Sequence, residues 1–149
     1  MVIENRKALR EYRIIEKYEA GIKLTGPEVK SVKGGRLNFL GSYVKLIGNE
    51  IFLVNTDIPL YKYARVDDYD ATRSRKLLLT KREINRLQGK IKEKPGLTII
   101  PLKCYTKSGI IKLQIALSKG RKKYELKSYE KERQLKKEDK KVAKEFLKK

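Results

Sequence analysis

The chain has 149 residues, 38 of them Lys or Arg and 18 Asp or Glu, and carries a net charge of +20. That length fits one domain with a core of its own, and so large a surplus points to a polyanionic partner, nucleic acid first and an anionic membrane surface second. With no His and Cys104 as its only cysteine, the chain excludes an internal disulfide, a Cys/His zinc site and a Cys–His nucleophile.

The N-terminal MVIENRKALR lacks the apolar stretch of a secretory signal, and no apolar run approaches the roughly 20 residues of a membrane span. A cytoplasmic protein is expected. After Asn5-Arg6-Lys7, apolar residues alternate through Tyr12, Ile14, Tyr18, Ala20, Ile22 and Leu24, which predicts one long strand from about Arg10 to Leu24, with Gly21 available for a bend. Glu19 then points away from the buried side. Thr25-Gly26-Pro27-Glu28 has the spacing of a capping box, flanked by Leu24 and Val29 as a hydrophobic staple. A short helix follows, with Val29 and Val32 on one face and Gly34-Gly35 supplying the left-handed residue that ends it.

Ser42 to Ile47 and Glu50 to Asn55 read as two strands joined by Gly48-Asn49, with Gly first as a type II′ turn requires. From Pro59 to Arg75 the periodicity fades and a long loop is expected. Its tyrosines, Tyr61, Tyr63 and Tyr69, are suited equally to stacking on bases and to core or rim packing. Asp67, Asp68 and Asp70 are read as partners of the neighbouring cations Lys62, Arg65, Arg73 and Arg75. Adjacent Asp67 and Asp68 point to different sides, and no other acidic motif supports Mg²⁺ binding or acid–base catalysis there.

Thr80 and Glu83 form a second capping box, with Leu79 and Ile84 as its staple; Ile84, Leu87 and Ile91 continue at helical spacing until Lys94-Pro95-Gly96. Lys81, Arg82, Arg86, Lys90 and Lys92 leave much of the rest of that helix cationic. Leu97 to Thr106 and Ile110 to Ser118 read as strands joined by Lys107-Ser108-Gly109, with Cys104 a small core residue and Pro101 marking an edge or a bulge. In the second of them Ile111, Leu113, Ile115 and Leu117 alternate with Lys112, Gln114, Ala116 and Ser118, so one side is expected to be core and the other largely wet. The fold class expected is mainly β (α+β): a compact antiparallel barrel with two or three short helices and an open face for nucleic acid.

Composition breaks after Ser118. Residues 119–149 hold 14 basic and 6 acidic side chains, a net +8, leaving +12 for residues 1–118. The division expected is an RNA-binding body, 1–118, and a basic tail, 119–149, disordered when free and helical once bound.

The segments NRKALREY (Asn5–Tyr12), YEAGIKLTGPEVKSVKGGRLNFLGSYV (Tyr18–Val44), RSRKLLLTKREINRLQGKIKEK (Arg73–Lys94) and LSKGRKKY (Leu117–Tyr124) together resemble the SmpB family, the SsrA-binding proteins, in the same order over nearly the full chain. The resemblance implies an oligonucleotide-binding (OB) type barrel that grips the tRNA-like part of transfer-messenger RNA (tmRNA) through the positions of Asn5, Glu19 and Leu78, with Lys112 a further basic site. It also implies a tail that enters the ribosomal decoding site through Lys119, Gly120, Arg121, Lys122, Lys123, Tyr124 and Lys127. Implied partners are tmRNA, small-subunit ribosomal RNA and elongation factor Tu; the protein is expected to be a monomer without cofactor or enzymatic activity. The chain departs from the family pattern in carrying Tyr124 where many members have histidine, Glu125-Leu126-Lys127 for Asp-Lys-Arg, Ala71 for proline, and Leu9-Arg10 for Arg-His. A structural ribosomal protein shares the basic-barrel-and-extension plan and is the alternative; an RNA-processing enzyme is disfavoured by the missing histidines.

Overall fold

A computed structural model describes residues 1–122, 126–128 and 130–137. The chain runs β1 (Val2–Glu4), α1 (Arg6–Glu11), β2 (Tyr12–Ile22), α2 (Gly26–Lys33), β3 (Tyr43–Ile47), β4 (Glu50–Val54), β5 (Arg75–Leu78), α3 (Lys81–Glu93), β6 (Leu97–Lys107) and β7 (Ile110–Gly120). All strand pairings are antiparallel and lead round a closed circuit: β6 to β3, β3 to β4, β4 to β5, β5 to β2, β2 to β7, and β7 back to β6. β1 adds to the β3 side of β6, opposite residues 103–105.

One sealed interior results. Ala20, Ile51, Leu53, Leu77, Leu113, Ile115 and Leu117 are buried, joined by Val32 from α2 and by Ile84 and Leu87 from α3. Because side chains alternate between the faces of a strand, the inward set on β7 is the one its period-two pattern announces, but the other side is wet only in part, since Ala116 and Ser118 on it are also buried. Cys104 lies in this core at 1% exposure, and burial pushes its thiol up to about 12. A smaller cluster sits outside the circuit, where Ala8 of α1 covers Ile100, Leu102 and Ala116.

Both expected capping boxes form. The Thr25 amide donates to Glu28 at 2.9 Å, and Thr80 and Glu83 exchange bonds of 3.1 and 3.2 Å. Gly35, at φ +81°, ends α2 in the left-handed conformation. In the β3–β4 turn only Gly48 has positive φ, +60°, as the type II′ geometry requires. The β6–β7 turn is tighter than the three residues expected: Lys107 already pairs with Ile110, and Ser108 and Gly109 both take positive φ, the two-residue type I′ arrangement. Pro101 marks a bulge, since the register slips between Pro101 and Lys103. β2 is interrupted at Ile15 rather than at Gly21.

Three short elements lie beyond the sequence patterns. β1 and β5 have three and four residues and α1 has six, with Ala8 alone buried. The strand expected from Arg10 begins at Tyr12 because Asn5 caps α1 first.

The Pro59–Arg75 segment is fastened differently from the expectation. Arg73 and Arg75 do not pair with the loop aspartates; both reach the fully buried Glu28 of α2, Arg75 through Nε at 2.6 Å and Arg73 through Nε at 3.2 Å and Nη2. Arg75, also fully buried, donates to the carbonyls of Thr56 (2.7 Å) and Ala71 (2.8 Å). Burial raises the Glu28 carboxyl, but bonds from Arg73, the Thr25 amide and Arg75 outweigh it and hold the group below its ordinary range. Asp70 instead accepts from the amide (3.0 Å) and hydroxyl (3.2 Å) of Thr72. The reason is geometric: burying a guanidinium requires an acceptor at every donor, which an exposed loop carboxylate cannot supply.

Candidate nucleic-acid interface

Cross-strand register builds the outer face of the sheet from residues far apart in sequence. Leu78 of β5 lies opposite Gly21 of β2, Gly21 opposite Lys112 of β7, and Lys112 opposite Tyr105 of β6. One step along, Glu19 lies opposite Gln114, and Gln114 opposite Lys103. Glu19, Leu78 and Lys112, three of the four body positions expected to meet RNA, therefore share one face across three adjacent strands. Gly21 keeps it shallow: a Cβ there would stand 3.2 Å from the Cβ of Leu78. Leu78 is 47% exposed, a bare apolar side chain beside cations.

Glu19 is already engaged. It accepts the Tyr105 hydroxyl and the Lys107 ammonium, the latter at 3.4 Å. The Tyr105 bond, with the positive charges of Lys107 and Lys112, holds its carboxyl below the ordinary range. Burial and the Glu19 acceptor together push the Tyr105 phenol up to about 12, and Lys103 lies over the Tyr105 ring, 5.5 Å from its centroid. A carboxylate among cations repels an approaching phosphate unless neutralised; here it fixes an aromatic ring and a lysine in place. Tyr105, Lys103 and Lys107 were not foreseen. The clue was the alternation of β6, where Lys103 and Tyr105 occupy the outward positions flanking buried Cys104.

Asn5 stands at the margin of this face. It follows Glu4, which pairs with Lys103, three interstrand spacings or about 15 Å from Glu19. Its side chain is engaged internally, accepting from the Ala8 amide at 3.4 Å to cap α1 and donating to the Pro101 carbonyl at 2.8 Å.

The tail positions divide. Lys119 and Gly120 continue β7, opposite Arg13 and Tyr12, so the sheet extends two residues past Ser118. The Arg121 amide donates to the Glu11 carbonyl at 2.8 Å, and the Lys122 carbonyl accepts from Leu126 at 3.0 Å. Residues 126–128 and 130–137 are helical; Lys127 is exposed there, and Arg10 of α1 meets Glu130 at 3.8 Å. Lys123, Tyr124 and Glu125 lie outside the described residues. On α3, Arg86 (2.9 Å) and Lys90 bind Glu16 of β2, while Lys81, Arg82 and Lys92 are exposed.

The family model described as SmpB protein matches residues 2–145. The chain belongs to the SmpB family. Two curated relatives of this SmpB-family chain, both named SsrA-binding protein, come from Sulfurihydrogenibium sp. (strain YO3AOP1) and Aquifex aeolicus (strain VF5). The first is 51% identical over 138 residues, covering 93% of this chain and 90% of the relative; the second is 48% identical over 138 residues, covering 92% and 87%. A chain of the solved structure "tmRNA-SmpB: a journey to the center of the bacterial ribosome" superposes with a TM-score of 0.68 at 44% identity, over 82% of this chain and 85% of that one. No helix among the described residues is long and apolar enough to cross a membrane.

Proposed function

We propose that this chain is a non-enzymatic RNA-binding adaptor that binds tmRNA through its tRNA-like part and brings it to stalled ribosomes for trans-translation. The closed strand circuit is read as an OB-type barrel whose outer β5–β2–β7–β6 face meets the RNA. The observation that carries the reading is the convergence of Leu78, Glu19 and Lys112 on that face in a chain whose family match spans residues 2–145. Lys112, Lys103 and Lys107 supply phosphate contacts, Leu78 packs against a sugar or base, and Glu19 orients Tyr105 and Lys107. Asn5 contributes by holding α1 against the margin of the face.

The tail enters the decoding site and the empty message path. There Tyr124 stacks and Lys119, Arg121, Lys122, Lys123 and Lys127 contact small-subunit ribosomal RNA, with Gly120 as the pivot where the sheet ends. The adaptor works as a cytoplasmic monomer, elongation factor Tu delivers the complex, and peptide transfer is the ribosome's own. The direct test is competition at physiological ionic strength: the protein should retain a tRNA-shaped fragment of tmRNA against excess linear duplex of matched length. Equal displacement by the duplex would reduce the face to a non-specific cationic surface.

A further inference from the structure

A second aromatic and cationic site lies off the face described above. Tyr61 and Tyr63 meet edge to face, with centroids 5.4 Å apart and planes at 70°. Lys30 of α2 stands 5.4 Å from the Tyr61 centroid and Lys62 4.8 Å from that of Tyr63. Tyr61, Tyr63 and Lys30, with Gly26, Pro27 and Ala64, line a cleft of about 300 Å³, and no carboxylate is among the described residues that line it. One of these rings is left in water: Tyr63 is 74% exposed. Its position is not accidental, because the segment that carries it is pinned to α2. Ser31 bonds the Pro59 carbonyl at 2.6 Å, and the Glu28–Arg73–Arg75 cluster fixes the segment's far end. An exposed aromatic on a fixed support, flanked by cations, suits an unstacked base: the ring offers a π face and the ammonium groups take the flanking phosphates.

We propose that this cleft takes an unpaired RNA nucleotide, its base on the Tyr63 ring and its phosphates on Lys62 and Lys30. The proposal rests on the RNA-binding reading above and adds a contact outside the β5–β2–β7–β6 face. Gly26 follows Gly21 by five residues, so the cleft is at most about 18 Å from that face, within reach of the same folded RNA.

The chain has no tryptophan, so full-length Tyr63→Trp carries a single indole whose fluorescence reports stacking at this spot. A single-stranded adenine hexanucleotide should quench it, while a duplex of equal phosphate number should not. Quenching by the tRNA-like fragment of tmRNA identifies that RNA as the source of the nucleotide; quenching only after ribosomes are added assigns it to ribosomal RNA. With the same single-stranded hexanucleotide followed by filter binding, since these proteins carry no indole, Tyr63→Ala should bind roughly 5-fold or more weakly and Tyr63→Phe nearly as wild type, from a stacking contribution of about 1–3 kcal/mol. No quenching by any of these RNAs, or equal quenching by duplex, overturns the site. Affinity for the tRNA-like fragment, followed by filter binding in the same samples, reports separately on the main face.

Discussion

Glu28 does two jobs that a reading of the linear sequence separates. As a capping residue it completes the first turn of α2, and as a buried carboxylate it neutralises Arg75 and half-exposed Arg73. The capping role follows from Thr25-x-x-Glu28; the ion cluster does not, because Arg73 and Arg75 lie 45 and 47 residues away. Removing one member of such a cluster leaves another charge buried without a counter-ion, which costs about 3–5 kcal/mol. Glu28→Gln should lower stability by that order in urea unfolding. The pH dependence has a definite sign. The folded carboxyl titrates below its ordinary value of 4.5, so its stabilisation is complete above that value and is lost as pH falls through the lower folded one. Glu28→Gln should therefore flatten the acid limb of the stability profile; an unchanged limb would place the acid sensitivity elsewhere.

Elements differ in how far local sequence determines them. α2, α3, the β3–β4 hairpin and β7 were legible because caps, a turn pair and a strict period encode them within a few residues. β1, β5 and α1 were not, since three to six residues carry no readable period and their stability comes from partners distant in the chain: β1 on β6, β5 between β4 and β2, α1 through Asn5 on Pro101. The same limit applies to the candidate interface. The outward facing of Glu19 and Lys112 follows from the alternation of their own strands, whereas their meeting with Leu78 and Tyr105 is a matter of non-local register. The register of β5 on β2 aligns two residue pairs, Leu78 with Gly21 and Leu77 with Ile22. A methyl group at Gly21 would crowd Leu78, which has open solvent to move into. Gly21→Ala should change stability by about 1 kcal/mol or less and weaken tmRNA binding roughly 5-fold, equivalent to one apolar contact of about 1 kcal/mol. Full affinity in a Gly21→Ala protein would remove Leu78 from the interface.

Over the whole molecule the cationic surplus is shared, +12 on residues 1–118 and +8 on residues 119–149. Charge alone gives both parts affinity for any polyanion, and each neutralised phosphate adds about 0.7–0.9 to the salt slope. Selectivity has to come from shape, and here body and tail differ: the body holds its cations on a closed sheet, while beyond Gly120 the chain leaves the strand ladder. The proper place to divide them is therefore after Gly120, because a cut after Ser118 would strip two residues paired to β2. The decisive measurement compares the full chain with one ending at Gly120, scoring tmRNA affinity at physiological salt and peptide tagging on stalled ribosomes side by side. The shortened chain should keep tmRNA binding within a few-fold and lose tagging. Loss of both in equal measure, or retention of both, would contradict a body that selects the RNA and a tail that engages the ribosome.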